Sequence, residues 1–296
     1  MSQRCGYVGI VGRPNVGKST LLNALMGQKL SITSRKPQTT RHNLLGILTT
    51  DDTQILIVDT PGLHQDAPKA INRYMNRSAV KVLGDVDVLI MLVDRDKWTS
   101  DDESVAERFR QAGGDKLLVI NKVDLIRDKA ELLPLLSKLS EEFGDIPMIP
   151  VSAEKSENLD ELLRLIRERL PESPFYYSED QVTDRSMRFM AAEIIREKLM
   201  RQLGDELPYA VTIQIDRFEE EPGLAHIDAT IFTEKAGQKR IIIGKAGERI
   251  KRIGMDARLD IEKALGCKVM LNTWVKVRSG WSDDERAIRS LGYDDI

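Results

Sequence analysis

The sequence predicts an α/β fold with a mostly parallel, doubly wound sheet, followed by a smaller α+β domain. Over residues 1–171, apolar runs of strand length alternate with segments of helical periodicity. A proline-containing segment without periodicity, 172–184, interrupts this alternation. A new order of elements occupies 185–280, and a tail helix is predicted over 281–296. These observations predict two domains, a linker between them and a C-terminal tail.

The elements of the first domain follow from short apolar runs and helical stripes. We predict strands over 7–11, 44–50, 55–58, 86–93, 117–120 and 147–151, and helices over 20–26, 71–84, 101–112 and 159–170. The strands 44–50 and 55–58 are separated by Asp51-Asp52, so they should pair as a hairpin. The remaining strands are joined through helices, and we expect them to be parallel with right-handed crossovers.

The second domain begins with a helix whose apolar face includes Phe189 and Leu199. We predict strands over 209–215, 224–233 and 269–277, and a helix over 248–265. The first two strands should form a hairpin with a polar connection. In the tail, Ser282 is expected to cap the helix, and Trp281 is expected to pack on the second domain rather than stack on a base.

A loop with the pattern G-x-x-x-x-G-K-[ST] lies between the first strand and the first helix. It consists of Gly12, Arg13, Pro14, Asn15, Val16, Gly17, Lys18 and Ser19, and Thr20 continues into the helix. The glycines allow backbone N–H groups to surround phosphate oxygens at the helix N-terminus. Lys18 is expected to reach the β- and γ-phosphates and Ser19 to bind Mg²⁺. A glycine-rich turn without a ligand is the alternative, but the complete motif in this setting predicts binding of a nucleoside triphosphate.

The glycine-rich loop 12–19 is a P-loop, and the strand 7–11 leads into it. A second segment on the phosphate side, Asp59-Thr60-Pro61-Gly62, ends a strand that is predicted to lie beside this strand. A carboxylate at the carboxyl end of a buried strand, as at Asp59, can hold Mg²⁺ through a water molecule. Gly62 can bring its N–H close to a γ-phosphate, since it has no Cβ. The polar loop 30–42 between these segments has a length typical of functional loops.

The segments Gly12–Ser19, Asp59–Gly62, Asn121–Asp124 and Ser152-Ala153 resemble, in order and spacing, the signature loops of the translation-factor-like GTPase class. The resemblance implies guanine specificity. The Asp124 carboxylate would accept hydrogen bonds from guanine N1–H and the 2-amino group, both of which adenine lacks. Asn121 would support the loop and the base, Lys122 would lie across the ring, and the Ala153 N–H would meet the guanine carbonyl.

The same resemblance implies a nucleotide-dependent switch in the loop after the first helix. The matching segment contains Pro37, Gln38, Thr39, Thr40 and Arg41. One of its threonines should bind Mg²⁺ when the γ-phosphate is present. We assign Thr40 because the family pattern places it before an arginine, with Thr39 as the alternative. The loop would order in the GTP state and relax after hydrolysis.

Two positions bear on the rate of hydrolysis. Leu63 follows Asp59–Gly62, where Ras-type enzymes carry the glutamine that orients the attacking water. Leucine cannot orient water, so we predict slow intrinsic hydrolysis. Asn15 resembles the asparagine that recruits K⁺ in related GTPases, where the ion supplies the charge of an arginine finger. A turn-stabilising role for Asn15 is the alternative.

The second domain has the element order of a type II KH domain. Ile242 to Ile253 resembles the pattern I-I-G-x-x-G-x-x-I-x-x-I, with Gly244, Lys245, Ala246 and Gly247 as the loop. In such domains this loop clamps the backbone of single-stranded RNA. Basic residues crowd the segment, namely Lys235, Lys239, Arg240, Lys245, Arg249, Lys251 and Arg252. Their local excess of charge favours binding of a phosphate backbone over a merely solvated helix face.

A P-loop GTPase domain followed by a type II KH domain resembles, over essentially the whole chain, the bacterial GTPases of small-ribosomal-subunit assembly. The resemblance implies a GTP-hydrolysing switch that uses Mg²⁺, binds 16S rRNA near its 3′ end and assists 30S subunit assembly. It also implies loose association with the inner membrane. Two alternatives are a GTPase acting on tRNA modification or another assembly factor, and a membrane-associated signalling GTPase whose KH-like domain binds protein.

Composition agrees with a cytoplasmic protein that is at most peripheral to a membrane. The chain has 41% hydrophobic and 31% charged residues, and its formal net charge is −3. An RNA partner must therefore use a local basic patch; we expect no DNA partner, and a monomer. Cys5 and Cys267 indicate a reducing compartment, and the N-terminus enters the first strand without a signal peptide. The longest apolar run, 88–93, has strand length.

Overall fold

The computed structural model describes residues 2–34, 36, 38–62, 69–95, 98–204 and 210–293. Nine strands and nine α-helices lie within these ranges. The strands are β1 Arg4–Val11, β2 Leu44–Thr49, β3 Thr53–Asp59, β4 Val88–Asp94, β5 Asp115–Asn121, β6 Met148–Pro150, β7 Val211–Glu221, β8 Leu224–Thr233 and β9 Lys268–Val277. The helices are α1 Lys18–Met26, α2 Ala70–Gly84, α3 Ser100–Gln111, α4 Leu133–Phe143, α5 Leu159–Arg169, α6 Met187–Gln202, α7 Ala236–Ile243, α8 Glu248–Leu265 and α9 Glu285–Ser290.

The first six strands form one sheet in the order β2-β3-β1-β4-β5-β6. Only the hairpin β2–β3 is antiparallel, because its short turn allows no crossover, and the other neighbouring pairs are parallel. The central strands are apolar throughout; every residue of β4 is buried. This arrangement confirms the predicted mostly parallel α/β domain. It brings the ends of β1, β3, β4, β5 and β6 to one edge, where ligands of such sheets bind.

The second sheet has the order β7-β8-β9, with β7 antiparallel and β9 parallel to β8. Helices α6 and α8 pack on one face through a core that includes Ile195, Ile227, Ile231, Ile253 and Ile261. The predicted helix over 248–265 is confirmed at both ends, because Gly247 and Gly266 flank it with positive φ angles of 80° and 68°. This α+β arrangement with a loop between α7 and α8 confirms the KH fold.

Two features of the secondary structure differ from what the sequence predicts. Helix α4 was not predicted, because Pro134 interrupts the apolar pattern; proline is compatible with the first turn, where it lies. Strand β7 continues to Glu221 through a bulge between Ile215 and Arg217, so the expected polar connection is largely strand. The residues of β7 beyond this bulge are mostly polar because that part of the hairpin is exposed.

The predicted cap of the tail helix was also wrong. Asp284, not Ser282, accepts hydrogen bonds from the backbone of Arg286 and Ala287 at the start of α9. The Ser282 hydroxyl instead donates to Glu234. Trp281 is packed, as expected, but its buried cluster includes Ile71 and Tyr74 of α2, in the first domain.

The segment 172–184 lies along the edge of the first sheet. The buried Gln54 side chain donates to the Tyr177 carbonyl at 2.9 Å and accepts from the Tyr176 and Tyr177 N–H groups. Further along, the Ile47 N–H donates to the Val182 carbonyl at 2.9 Å. The segment predicted as a linker is therefore held by backbone and side-chain hydrogen bonds. Within the described ranges, no helix is long and apolar enough to cross a membrane.

Candidate functional site

A cavity of about 610 Å³ opens at the carboxyl-terminal edge of the first sheet. The predicted residues that line it are Pro14, Asn15, Gly17, Lys18, Ser19, Thr20, Gln38, Thr39, Thr40, Gly62, Asn121, Lys122 and Asp124. Segments distant in the sequence meet there because the parallel strands deliver their following loops to one edge. Ile32, Thr33, Ser34, Lys36, Leu125 and Glu154 also line the cavity and were not predicted. Ile32, Thr33, Ser34 and Lys36 belong to the loop 30–42 that was predicted to be functional, and Leu125 and Glu154 directly follow two signature segments, but none of the six is a motif position.

The Lys18 side chain lies inside the P-loop. Its Nζ donates to the carbonyls of Gly12 and Arg13 at 2.9 and 3.0 Å. Burial, opposed by the Asp59 charge and assisted by the Arg13 charge, lowers the pKa of Lys18 to about 8. Gly17 adopts φ 103°, and a Cβ there would lie 2.4 Å from Asn121 Nδ2, so glycine is required. The loop therefore presents a buried ammonium at a helix N-terminus, an arrangement suited to phosphate.

The predicted magnesium ligands converge beside Lys18. Ser19 Oγ donates to Asp59 Oδ2 at 2.7 Å and lies 2.7 Å from Thr40 Oγ1. Ser31 Oγ also donates to Asp59 Oδ2, at 2.8 Å, a contact that the sequence did not predict. Burial raises the pKa of Asp59, and its Oδ1 has no hydrogen-bond partner among the described residues. Two hydroxyls and a buried carboxylate with an unsatisfied oxygen fit a hard divalent cation such as Mg²⁺.

The loops predicted to bind guanine support one another. Asn121 Nδ2 donates to the Val16 carbonyl at 2.9 Å, which connects this loop to the P-loop. Ser152 is fully buried, and its hydroxyl donates to Asp124 Oδ1 at 2.6 Å. This hydrogen bond orients the Asp124 carboxylate at the cavity wall. A group with two adjacent donors, such as the N1–H and 2-amino edge of guanine, suits such an acceptor.

Some predicted residues have other partners or lie outside the described ranges. The Ala153 N–H donates to Asn121 Oδ1 at 3.0 Å, so it already has an acceptor other than the expected guanine carbonyl. The Arg13 side chain contacts Asp102 rather than the cavity. Gly12, Val16, Arg41, Asp59, Thr60, Pro61 and Ser152 lie outside the cavity lining, as does Ala153. Pro37 and Leu63 lie outside the described residues.

The glycine-rich loop of the second domain joins α7 to α8. Gly244 adopts φ 73°, and a Cβ there would lie 2.8 Å from Arg249 Cβ; Gly247 adopts φ 80°. Glycine is therefore required at both positions. Of the predicted basic residues, Lys235, Arg240, Lys245, Arg249, Lys251 and Arg252 are exposed, and Lys239 is half-buried. Ala246 is also exposed in the loop.

A shallow cavity of about 260 Å³ lies next to this loop, between α8 and β9. It is lined by Ile250, Lys251, Gly254, Met255, Arg258, Leu271 and Thr273. The cavity combines an apolar floor with basic side chains, a composition that suits nucleotide bases beside a phosphate backbone. Ile250 and Lys251 lie within the predicted segment Ile242–Ile253, whereas the other five residues lie beyond that motif and were not predicted.

The loop after α1 that contains Thr39, Thr40 and Arg41, here called the switch loop, is in direct contact with the second domain. Arg41 is buried, and its Nη1 donates to the Val211 carbonyl of β7 at 2.8 Å. Arg196 of α6 donates to the Thr39 carbonyl at 2.5 Å. Tyr293 of the tail stacks on His42 with ring centroids 4.3 Å apart. Thr40, beside Ser19, is thus flanked by residues fixed to the second domain and the tail.

Comparison with known proteins agrees with this architecture. Residues 7–122 match the family profile described as 50S ribosome-binding GTPase, and residues 206–282 match the KH domain profile. The GTPase Era of Pseudomonas fluorescens strain Pf0-1 is 58% identical over 293 residues, covering 99% of this chain and 98% of the relative. The GTPase Era of Ectopseudomonas mendocina is 60% identical over 292 residues, with coverages of 99% and 98%.

Two solved structures share the complete arrangement. An Aquifex aeolicus Era variant bound to GDP·AlF4⁻ matches with a TM-score of 0.95 and 37% identity, covering 98% of this chain and 99% of that chain. An Era in complex with MgGDPNP and nucleotides 1506–1542 of 16S ribosomal RNA matches with the same TM-score, identity and coverages. Fold and site together define a P-loop GTPase joined to a KH domain. The chain belongs to the Era family of GTPases.

Proposed function

We propose that this GTPase is a nucleotide-dependent switch that binds 16S rRNA near its 3′ end and assists assembly of the 30S subunit. The contact between the switch loop and the KH domain carries the proposal. Thr40 lies at the phosphate side, while Arg41 donates to a KH strand. The relative solved with MgGDPNP and a 16S rRNA fragment supports both ligands. The basic loop Gly244–Gly247 and the cavity between α8 and β9 are the proposed RNA contacts.

GTP and Mg²⁺ would fix the switch loop in one position. The γ-phosphate and the ion would hold Thr40, and Ser19 and Asp59 would complete the metal ligands, the latter through water. Arg41 and Thr39 are hydrogen-bonded to β7 and α6 of the KH domain. Loss of the γ-phosphate would therefore change the contacts that orient this domain. RNA that prefers one orientation must then strengthen binding of the matching nucleotide by the same factor.

Hydrolysis is proposed to be slow and to depend on K⁺. Asn15 lines the nucleotide cavity in a left-handed conformation, φ 65°, where its side chain can contribute an oxygen ligand. We expect hydrolysis in KCl to be at least about tenfold faster than in NaCl at equal ionic strength, if K⁺ replaces an arginine finger. Asn15→Ala should remove the difference while keeping GDP affinity. Equal rates in the two salts would show that Asn15 is only a turn residue.

Crosslinking of RNA to the protein in cells, followed by sequencing, tests the RNA partner. Reads concentrated at the 3′ end of 16S rRNA are expected. Reads from tRNA would instead support the tRNA-modification alternative, and an absence of enriched RNA would support the protein-binding KH-like alternative. The monomeric state and the cytoplasmic location remain predictions from the sequence, and peripheral contact with the inner membrane remains a prediction from the resemblance.

A further inference from the structure

The Asp94 carboxylate lies between the P-loop and the segment Asn121–Asp124, here called the guanine loop. Asp94 ends β4, which lies between β1, the strand that enters the P-loop, and β5, the strand that enters the guanine loop. Asp94 Oδ2 accepts from Lys122 Nζ at 2.8 Å, and only 11% of the side chain is exposed. The same ammonium donates to the Asn15 carbonyl at 2.8 Å. Asp94 thus positions Lys122, whose aliphatic chain is expected to cover the guanine ring.

A second carboxylate extends this contact to α3. Asp102 is fully buried, and both its oxygens accept from Arg13 Nε, at 3.1 and 2.9 Å. Arg13 Nη2 lies 3.7 Å from Asp94 Oδ2. Asp102 also accepts from the N–H and hydroxyl of Thr99 at the start of α3, so its position is fixed by the helix. The charges alternate from Asp102 through Arg13 and Asp94 to Lys122.

We propose that Asp94 and Asp102 are positioning residues that fix the P-loop and the guanine loop relative to each other. They thereby set the residence time of guanine nucleotides in the site. The inference rests on the nucleotide site proposed above. The four side chains are mostly shielded from solvent, so their mutual attraction is screened less than that of a surface ion pair. Neither carboxylate lines the cavity, so their effect on the nucleotide passes through Lys122 and Arg13.

Loss of the Asp94 charge would release the Lys122 ammonium from one of its two acceptors. The Lys122 stem would then sample positions away from the base, which weakens a contact made equally by GDP and GTP. Affinity for both nucleotides should fall by the same factor, mainly through faster dissociation. The chemical step should change little, because the hydrogen-bond partners of Lys18 and of the proposed Mg²⁺ ligands Ser19, Thr40 and Asp59 do not include Asp94. A uniform loss of binding with unchanged kcat distinguishes this role from a catalytic one.

Asp94→Asn in the full chain tests the proposal, because it keeps volume and removes charge. We expect N-methylanthraniloyl-GDP to dissociate about tenfold faster, with kcat at saturating GTP within about twofold of wild type. Asp101→Asn is the matched control, since Asp101 is an exposed acidic residue in the first turn of α3. An unchanged dissociation rate for Asp94→Asn, with or without a lower Tm, would overturn the proposal.

A double-mutant cycle separates positioning from a general structural effect. Lys122→Met keeps an apolar stem and removes the ammonium through which Asp94 acts. In that background Asp94→Asn should accelerate dissociation by less than about twofold. If the two effects multiply fully, Asp94 does not act through Lys122. Failure of the wild-type protein to bind the fluorescent GDP would contradict the proposed nucleotide site itself, so the two failures are distinguishable.

Discussion

Asp124→Asn is expected to convert the nucleotide site from guanine to xanthine preference. Ser152 donates to Asp124 Oδ1, so the asparagine should keep its carbonyl oxygen at that hydrogen bond. Its Nδ2 then replaces the oxygen that faces the base. The 2-amino group of guanine would meet another donor, whereas the C2 carbonyl of xanthine would accept from Nδ2.

We expect GTP affinity to fall by at least about 10³-fold, since an unpaired polar group in a buried site is heavily penalised. XTP should bind to the variant about as tightly as GTP binds to the wild type. Competition against a fluorescent guanine or xanthine nucleotide measures both. XTP binding is the internal control for folding, and a variant that loses GTP without gaining XTP would contradict the role of Asp124.

Lys245→Glu combined with Arg249→Glu is expected to abolish RNA binding while GTP hydrolysis persists. Both side chains are exposed at the loop that begins α8, where a charge reversal repels a phosphate backbone. We expect at least about a 10²-fold loss of affinity for an oligonucleotide of the 16S 3′ end at moderate salt. Fluorescence anisotropy measures the affinity. GTP hydrolysis without RNA should remain within about twofold.

Lys263→Glu is the matched control for this charge reversal. Lys263 is exposed in the last turn of the same helix, about 20 Å from its start. It should lower RNA affinity only slightly through net charge. Lys245→Glu alone completes the series, because Arg249 Nη1 also donates to the Ile241 carbonyl and its loss could disturb α7. Equal effects of Lys245→Glu and Lys263→Glu would show that the glycine loop is not the contact.

Elements with contiguous signals could be predicted from the sequence. The P-loop, the strand ending at Asp59 and helix α8 each carry their pattern within one stretch of chain, and Gly247 and Gly266 mark the ends of α8. Parallel topology then requires the strand ends to meet, so the convergence of Ser19 with Asp59 was foreseeable. Helix α4 was not predicted because Pro134 interrupts its apolar pattern. A helix accepts proline in its first turn, where Pro134 lies, but the sequence alone does not show where the helix begins.

Contacts between distant residues that belong to no motif could not be predicted. Asp94 and Asp102 form no motif with Arg13, and their pairing depends on how β4 and α3 pack. Gln54, which fixes the segment 172–184, and Glu197, which accepts from the Thr33 N–H, are polar residues that pattern analysis assigns to the surface. Burial of Trp281 against α2 depends on the relative placement of two domains, which no local pattern contains.

Nucleotide state is proposed to control RNA binding through the contact between the switch loop and the KH domain. The most direct test is the affinity of the wild-type protein for the 16S 3′-end oligonucleotide, measured with saturating MgGDPNP and with saturating MgGDP. We expect at least about a fivefold difference between the two states. By linkage, the RNA should change the ratio of GDPNP to GDP affinity by the same factor. Equal RNA affinity in the two nucleotide states would show that the switch loop does not control RNA binding.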